Sequence, residues 1–125
     1  NQSLTQRGVT SLMDDQIAHH ADHDMTGVNK SIAHGKDWLL IYKENQIIAV
    51  IASQDLALDQ LQDSIQQARS TASSEFGYCS SRATLREAWD LSQHHDYAYL
   101  LITDLDEQVI GVLPASKITN LMQQG

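Results

Sequence analysis

The side chains best suited to chemistry lie together in the stretch AHHADHD, which contains His19, His20, Asp22, His23 and Asp24. Imidazole and carboxylate groups are natural ligands for zinc or nickel, and His19 and His23 would share one face of a helix. The stretch instead suits a short strand followed by a loop, where neighbouring side chains diverge. We therefore expect no metal site. If a metal did bind, His19, His20 and His23 would be the candidate ligands.

A second use of the same stretch is pH sensing. Carboxylates beside a histidine favour its charged form and raise its pKa, so this stretch is a candidate pH-sensing patch. His94 and His95 suggest a different role, because they stand at the end of a predicted helix, where the helix dipole favours a cation. We expect these two residues to cap that helix.

Nucleophilic catalysis finds little support in the sequence. Cys79 is the single cysteine, which excludes an internal disulfide and a multi-cysteine zinc or iron–sulfur site, and we expect it to be a small buried residue. The chain contains no Gly-x-Ser-x-Gly elbow, no glycine-rich phosphate loop and no His-Glu-x-x-His motif. These observations predict a protein that is not an enzyme.

Composition restricts the possible partners. The chain has 125 residues, enough for one compact domain with a real core, and its 16 acidic and 8 basic residues give a net charge of −8. That charge repels nucleic acid and anionic membrane surfaces. No apolar run is long enough to span a bilayer, and the start NQSLTQRGV lacks a signal core and an initiator methionine. We expect a fragment of a longer polypeptide that does not itself insert into a membrane.

Two similar hairpins dominate the pattern of apolar residues. WLLIYKENQIIAV, from Trp38 to Val50, and YLLITDLDEQVIGV, from Tyr99 to Val112, each pair two apolar runs around a polar turn. The runs are continuous rather than alternating, as expected of strands covered on both faces. Further elements recur in the same order, which indicates a tandem repeat of two βαββα units of about sixty residues each.

Two helices are predicted before the hairpin of the first repeat. In the lead segment Leu4, Gly8 and Leu12 recur every four residues, which predicts a short lead helix. A brief strand follows. Asp24 is then the predicted N-cap of a helix that stops at Gly35.

A further helix is predicted to close the first repeat. Ser53 is its expected N-cap, Asp55 lies in its first turn, and an apolar stripe continues toward Arg69. The linker-like stretch RSTASSE follows. The predicted organisation is a lead helix and first repeat in residues 1–69, a linker in 70–76 and a second repeat in 77–125.

The second repeat has the clearer local signals. A short strand, GYC, precedes a helix that Thr84 and Glu87 open with a capping box. After the hairpin, Ile118, Leu121 and Met122 form the apolar stripe of a closing helix. We expect the aromatic residues of both repeats to lie in the core or an interface: Trp38, Trp89, Tyr97 and Tyr99.

The repeat resembles the CBS domain family, whose tandem pairs are called Bateman modules. The stretches TLREAWDLSQHH, YLLI and DEQVIGVL carry the resemblance in the second copy, Tyr78 to Met122. The first copy, Ile17 to Leu61, is similar but has Ala49 where the family usually has glycine. The resemblance implies an α/β (α+β) fold in which two βαββα repeats pack about a pseudo-twofold axis through their small sheets. It also implies a non-catalytic regulatory module, commonly dimeric, with clefts for adenosine-type ligands.

The family's ligand signature follows the second hairpin strand and ends in a hydroxyl residue and an aspartate. In the first repeat the aspartate is present as Asp55, the hydroxyl position is Ala52, and Ser53 is adjacent. The resemblance therefore implies that Ile51, Ala52, Ser53 and Asp55 bind an adenosine-type ligand such as AMP, ADP or ATP. The carboxylate would accept hydrogen bonds from both ribose hydroxyls.

The second repeat has lost that signature. Lys117 replaces the aspartate and Pro114 replaces the hydroxyl residue. An ammonium group accepts no hydrogen bond, and proline has no amide donor. We expect the second cleft not to bind a nucleoside in this way, and we expect Pro114 to occupy a first helical position.

The lead segment indicates a parent protein. LTQRGVTSLM and DWLLI resemble sequences that join the last membrane helix to the CBS pair of voltage-gated chloride channels and transporters. The resemblance implies a homodimeric regulatory part on the cytoplasmic side, tethered to the membrane through the channel portion of the same chain. The alternatives are the CBS pair of another transporter, such as a magnesium or cobalt efflux protein, and a pure assembly domain without a ligand.

Overall fold

The computed structural model describes residues 6–56, 63, 66 and 75–124. Its contacts divide the chain into two compact units. One unit is Gln16–Ser74, and the other combines Asn1–Asp15 with Glu75–Gly125. We call them the first and second units.

The first unit is a three-stranded sheet with a helix. Its elements are β1 (Ile17–Ala21), α1 (Met25–Ala33), β2 (Trp38–Lys43), β3 (Gln46–Ala52) and a 3-10 turn (Ser53–Asp55). Strand β2 lies in the centre, parallel to β1 and antiparallel to β3. The helix predicted to run on toward Arg69 lies largely outside the described residues.

Local sequence explains the ends of these elements. The Asp24 carboxylate accepts a hydrogen bond from the amide of Gly27 at 3.0 Å, so the predicted N-cap of α1 is confirmed. Between β2 and β3, Glu44 and Asn45 both have positive φ, 52° and 68°. Two consecutive left-handed residues match the twist of a tight hairpin.

The second unit repeats the same order of elements. These are β4 (Phe76–Ser80), α2 (Leu85–His95), β5 (Tyr99–Thr103), β6 (Val109–Pro114) and α3 (Ala115–Gln124). Strand β5 is central, parallel to β4 and antiparallel to β6. The predicted mixed α/β fold of two similar repeats is therefore confirmed. No helix within the described ranges is long and apolar enough to cross a membrane.

The core of the second unit lies between its sheet and its helices. The buried residues that form it come from both layers and include Val9, Cys79, Leu85, Ala88, Leu100, Ile102, Leu113 and Ile118. The capping box of α2 is present, with Thr84 Oγ1 accepting from the Glu87 amide at 3.1 Å and Glu87 Oε1 accepting from the Thr84 amide at 3.1 Å. This helix therefore begins where the sequence predicts.

The lead segment differs from the prediction. Within the described residues it contains only a 3-10 turn, Val9–Ser11, instead of a lead helix. Val9 is fully buried in the core of the second unit, and the Val9 amide donates to the carbonyl of Ala83 at 3.0 Å. The prediction grouped this segment with the first repeat, whereas its contacts are with the second.

The predicted linker, 70–76, is described only at its end. Residues 70–74 lie outside the described part of the chain, and Phe76 is already the first residue of β4. Pro114 is likewise displaced by one place from the prediction, because it ends β6 and α3 begins at Ala115. Boundary shifts of one residue are common at element ends.

Candidate functional site

The four residues expected to bind a ligand lie at the end of β3 and in the turn that follows. Ile51 and Ala52 are the last residues of the strand and are both buried. Ser53 and Asp55 belong to the 3-10 turn, Asp55 lies in its first turn, and Asp55 is exposed. The strand therefore contributes apolar residues to the candidate site, and the turn carries the carboxylate at the surface.

Ser53 does not act as the predicted N-cap. Its hydroxyl donates to the carbonyl of Lys36 at 2.6 Å, and its amide donates to the carbonyl of Asp37 at 2.9 Å. The residue before the turn is Ala52, and no side chain caps this end. The prediction failed because the connection between α1 and β2 offers Ser53 a closer acceptor. The Ser53 oxygen can still accept a hydrogen bond from a ligand.

Asp55 is the one strong acceptor among these four side chains. Within the described residues, no hydrogen bond or ion pair involves its carboxylate. An ionised carboxylate has about four lone-pair positions and donates nothing. This group is therefore suited to two neighbouring hydroxyl donors.

The histidine cluster separates into independent contacts. His19 Nδ1 lies 2.8 Å from the Tyr42 hydroxyl, whereas His20 Nε2 lies 2.6 Å from the Ser31 hydroxyl. His23 Nδ1 pairs with Asp22 at 3.3 Å. Within the described ranges, no group of three or more His, Cys, Asp or Glu side chains is arranged to hold a metal ion.

The pKa of His19 shifts in the direction opposite to the hypothesis. Although the residue is exposed overall, partial burial of its ring lowers the pKa, and the neighbouring His20 lowers it further. The pKa of Asp24 is lowered mainly by the hydrogen bond from the Gly27 amide, with a smaller contribution from His20, against an opposing effect of burial. The prediction that the neighbouring carboxylates raise the histidine pKa is therefore wrong for His19.

The corresponding stretch of the second repeat is engaged by the chain itself. The ammonium group of Lys117 donates to the carbonyl of Leu12 at 3.1 Å and to the Asp14 carboxylate at 2.5 Å. Sequence reasoning identified Lys117 as a lost ligand position but did not find Asp14. The only sequence signal was the opposite charge, which does not identify a partner so distant in the chain.

Cys79 is not a reactive nucleophile near neutral pH. Its side chain is buried in the core, as predicted. Burial raises the pKa of the thiol to about 11, with a smaller contribution from the negative charge of Glu87. Because the thiolate is the reactive form, the thiol is protonated and inert under ordinary conditions.

The aromatic predictions outside the site agree with the structure, and the histidine prediction agrees in position only. Trp38 is buried, and Trp89 and Tyr97 pack against the core of the second unit. His94 and His95 lie in the last turn of α2, where positive charge is favoured, but the C-cap residue is Asp96, whose amide donates to the Ser92 carbonyl. None of these residues adds to the candidate site.

Comparisons with known proteins give structural neighbours only. No family profile and no curated protein sequence matches the chain. The CBS domain of a bacterial CNNM/CorC family Mg2+ transporter, solved with ATP, is similar with a TM-score of 0.58 and 12% identity over 94% of this chain and 87% of its own. A CBS domain pair from Klebsiella pneumoniae with bound AMP has a TM-score of 0.60 and 12% identity, covering 94% of this chain and 99% of its own.

A third similar structure is a CBS domain pair in complex with 5′-methylthioadenosine and S-adenosyl-L-methionine. Its TM-score is 0.58, with 15% identity over 94% of this chain and 96% of its own. At these identities the likeness concerns the fold, and it extends through both repeats. The chain therefore has the fold of a CBS domain pair.

Proposed function

We propose that this chain is a non-catalytic regulatory module that binds an adenosine-type ligand through Ile51, Ala52, Ser53 and Asp55. The observation that carries the proposal is the exposed carboxylate of Asp55 in the turn directly after β3. The structural neighbours support the ligand class, because three of them were solved with ATP, AMP or S-adenosyl-L-methionine.

The chemistry of the site favours a nucleoside over a free phosphate. The Asp55 carboxylate accepts hydrogen bonds from the two vicinal hydroxyls of a ribose, and a phosphate would be repelled by it. Ile51 and Ala52 offer an apolar surface for the sugar or base. The Ser53 hydroxyl, held by the Lys36 carbonyl, keeps its oxygen available as a further acceptor.

The first repeat alone carries this function in our proposal. In the second repeat Lys117 already pairs with Asp14, so the equivalent position holds a cation with an internal counter-ion. A ribose hydroxyl would find no carboxylate acceptor on that residue. We therefore expect one nucleoside per chain.

Regulation requires that the ligand prefer one state of the protein to which the module is joined. A ligand shifts an equilibrium only by its difference in affinity for the two states. We propose that the partner is a membrane transport protein in the same polypeptide, with this module on the cytoplasmic side and paired as a homodimer. Several neighbours are CBS domains of a bacterial CNNM/CorC family Mg2+ transporter.

The type of transporter remains a choice between two parents. The lead segment resembles that of chloride channels, but the structural neighbours named here provide no support for that parent. Magnesium transporters are supported by those neighbours, at identities too low to show more than the fold. We therefore propose that the parent is a membrane transport protein, which is either a magnesium or cobalt transporter or a chloride channel.

Calorimetric titration with AMP, ATP and S-adenosylmethionine tests the ligand proposal. At least one should bind, and Asp55→Ala should weaken that binding by roughly tenfold or more, since two charge-assisted hydrogen bonds are lost. Asp106→Ala is the matched control, because it removes an equal charge from an exposed turn of the second unit. The affinity of Asp106→Ala for the same ligand should stay within about threefold of that of the unchanged chain, because distant sites act independently.

The alternative is an assembly domain without a ligand, and Ala52, which lacks the expected hydroxyl, favours it. In that case none of the three compounds would raise the melting temperature, and Asp55→Ala would have no effect in any titration. Sedimentation analysis of the same samples would still show a dimer. A dimer without ligand binding would contradict the proposed ligand-binding function and support an assembly domain.

A further inference from the structure

The lead segment is joined to the second unit by its backbone. The Asp14 amide donates to the Val112 carbonyl at 2.8 Å, and the Val112 amide donates back to the Asp14 carbonyl at 2.9 Å. This reciprocal pair is an antiparallel bridge to the edge strand β6. The lead segment thus extends the edge of the sheet by one residue pair.

Gly111 leaves space for the lead segment beside β6. A Cβ atom at this position would come within 2.5 Å of the Met13 sulfur and 3.0 Å of the Asp14 carbonyl oxygen. A side chain at this position would force the Met13 side chain to move and would press on the backbone carbonyl of Asp14. The absence of a side chain here therefore belongs to the docking of residues 12–14.

Further contacts extend along the rest of the lead segment. The Arg7 carbonyl accepts a hydrogen bond from the amide of Leu85, the first residue of α2, at 2.7 Å. Gly8 forms an isolated bridge with Thr84, and Val9 is fully buried in the core. Opening of the segment would remove an acceptor from the start of α2 and empty the place of a core side chain.

Lys117 also binds the lead segment. Its ammonium group holds both the Leu12 carbonyl and the Asp14 carboxylate. Lys117 lies in the first turn of α3, where the helix dipole disfavours a cation, and the Asp14 carboxylate offsets that cost. The pair thus joins the lead segment to a second element besides β6.

This ion pair differs from an ordinary surface pair. The side chains of Lys117 and Asp14 are 40% and 27% exposed, whereas Arg86 and Asp90, one turn apart on α2, are 53% and 62% exposed. Lys117 and Asp14 are 103 positions apart in sequence. Shielding from water strengthens the first pair, and its loss releases a distant segment rather than a neighbour on one helix.

We propose that residues 6–14 form a strap over the second unit and that Asp14 and Lys117 are its latch. The latch holds the strap closed against β6 and the start of α2, and loss of either charge opens the strap while the sheet remains folded. The latch therefore controls how readily the strap opens locally. This inference is independent of nucleotide binding, because the latch and the strap both lie in the second unit.

Amide hydrogen exchange of the full chain, resolved by NMR, tests the latch. In Lys117→Met and Asp14→Asn, exchange at the amides of Asp14 and Val112 should accelerate by roughly tenfold or more, whereas exchange at central β5 amides should change by less than about threefold. Arg86→Met, the control, removes a cation from an exposed ion pair and should leave all these amides unchanged. The double variant Asp14→Lys with Lys117→Asp restores opposite charges and should return the exchange to near its original rate.

The pattern of exchange decides the outcome. An unchanged rate at Asp14 and Val112 in both single variants would overturn the latch. Equal acceleration at these amides and in β5 would also overturn it, because the pair would then support the unit as a whole. Selective acceleration with recovery in the charge-swapped variant supports it.

Discussion

At the scale of single residues, His19 and His20 show how neighbours in sequence acquire different environments. Successive side chains of a strand point to opposite faces, so His19 reaches Tyr42 while His20 reaches Ser31 on α1. Both rings are held by a hydroxyl group, and Asp24 approaches only His20, at 3.4 Å. The two imidazoles therefore have different neighbours.

The lowered pKa of His19 predicts a loss of stability at mildly acidic pH. The unfolded chain binds a proton at the ordinary pKa of 6.5, whereas the folded chain resists it. The free energy of unfolding should therefore fall as pH decreases below about 6.5. Urea unfolding at pH 7.5 and 5.5 measures this difference, and His19→Asn should reduce it.

His23→Asn is the control for that measurement. The His23 side chain is 86% exposed, pairs with its neighbour Asp22 and acts on Asp24 only through its charge. The pH dependence of unfolding in His23→Asn should match that of the unchanged chain. An equal loss between pH 7.5 and 5.5 in His19→Asn and the unchanged chain would show that His19 does not contribute.

At the scale of elements, the start of α2 rests on a local interaction that can be removed alone. Thr84→Ala deletes the hydroxyl that accepts from the Glu87 amide. We expect the free energy of unfolding to fall by about 1 kcal/mol, the usual cost of losing such a cap. Glu87→Gln keeps an oxygen for the Thr84 amide and should cost much less. Urea unfolding compares both, and an equal loss in the two variants would contradict the capping box as the cause.

Elements defined by near neighbours in sequence were predictable. The caps at Asp24 and Thr84 depend on residues three positions away, and the order of strands and helices follows from apolar runs and turns. Asp55 lies in the turn after β3, where the pattern placed it, and its part in a ligand site stays a prediction. Local chemistry determined all of these features.

Features that depend on distant contacts were not predictable. The lead segment has a helical spacing of apolar residues, but burial of Val9 in the second unit outweighs that weak local preference. The hydroxyl of Ser53 bonds to Lys36, 17 positions away, instead of capping its own helix. The partner of Lys117 is farther still, so its role could not be read from neighbouring residues.

At the scale of the whole molecule, net charge governs association. Each chain carries −8, so two chains repel one another at low ionic strength. If the proposed homodimer forms, raising the salt concentration from about 20 to 300 mM should tighten it by screening this repulsion. Sedimentation equilibrium at both concentrations measures the dissociation constant. Weaker association at high salt would indicate attractive charge pairs at the interface instead.

The contact between Asp14 and Lys117 also dictates an order of events during synthesis. The ribosome releases the lead segment before β6 and α3. Until then the apolar side chains of Val9 and Met13 have no partner strand and are open to chaperones. The second unit thus includes residues that are synthesised before the whole of the first unit, and a ribosome that stalls before Val112 leaves the second unit unfinished.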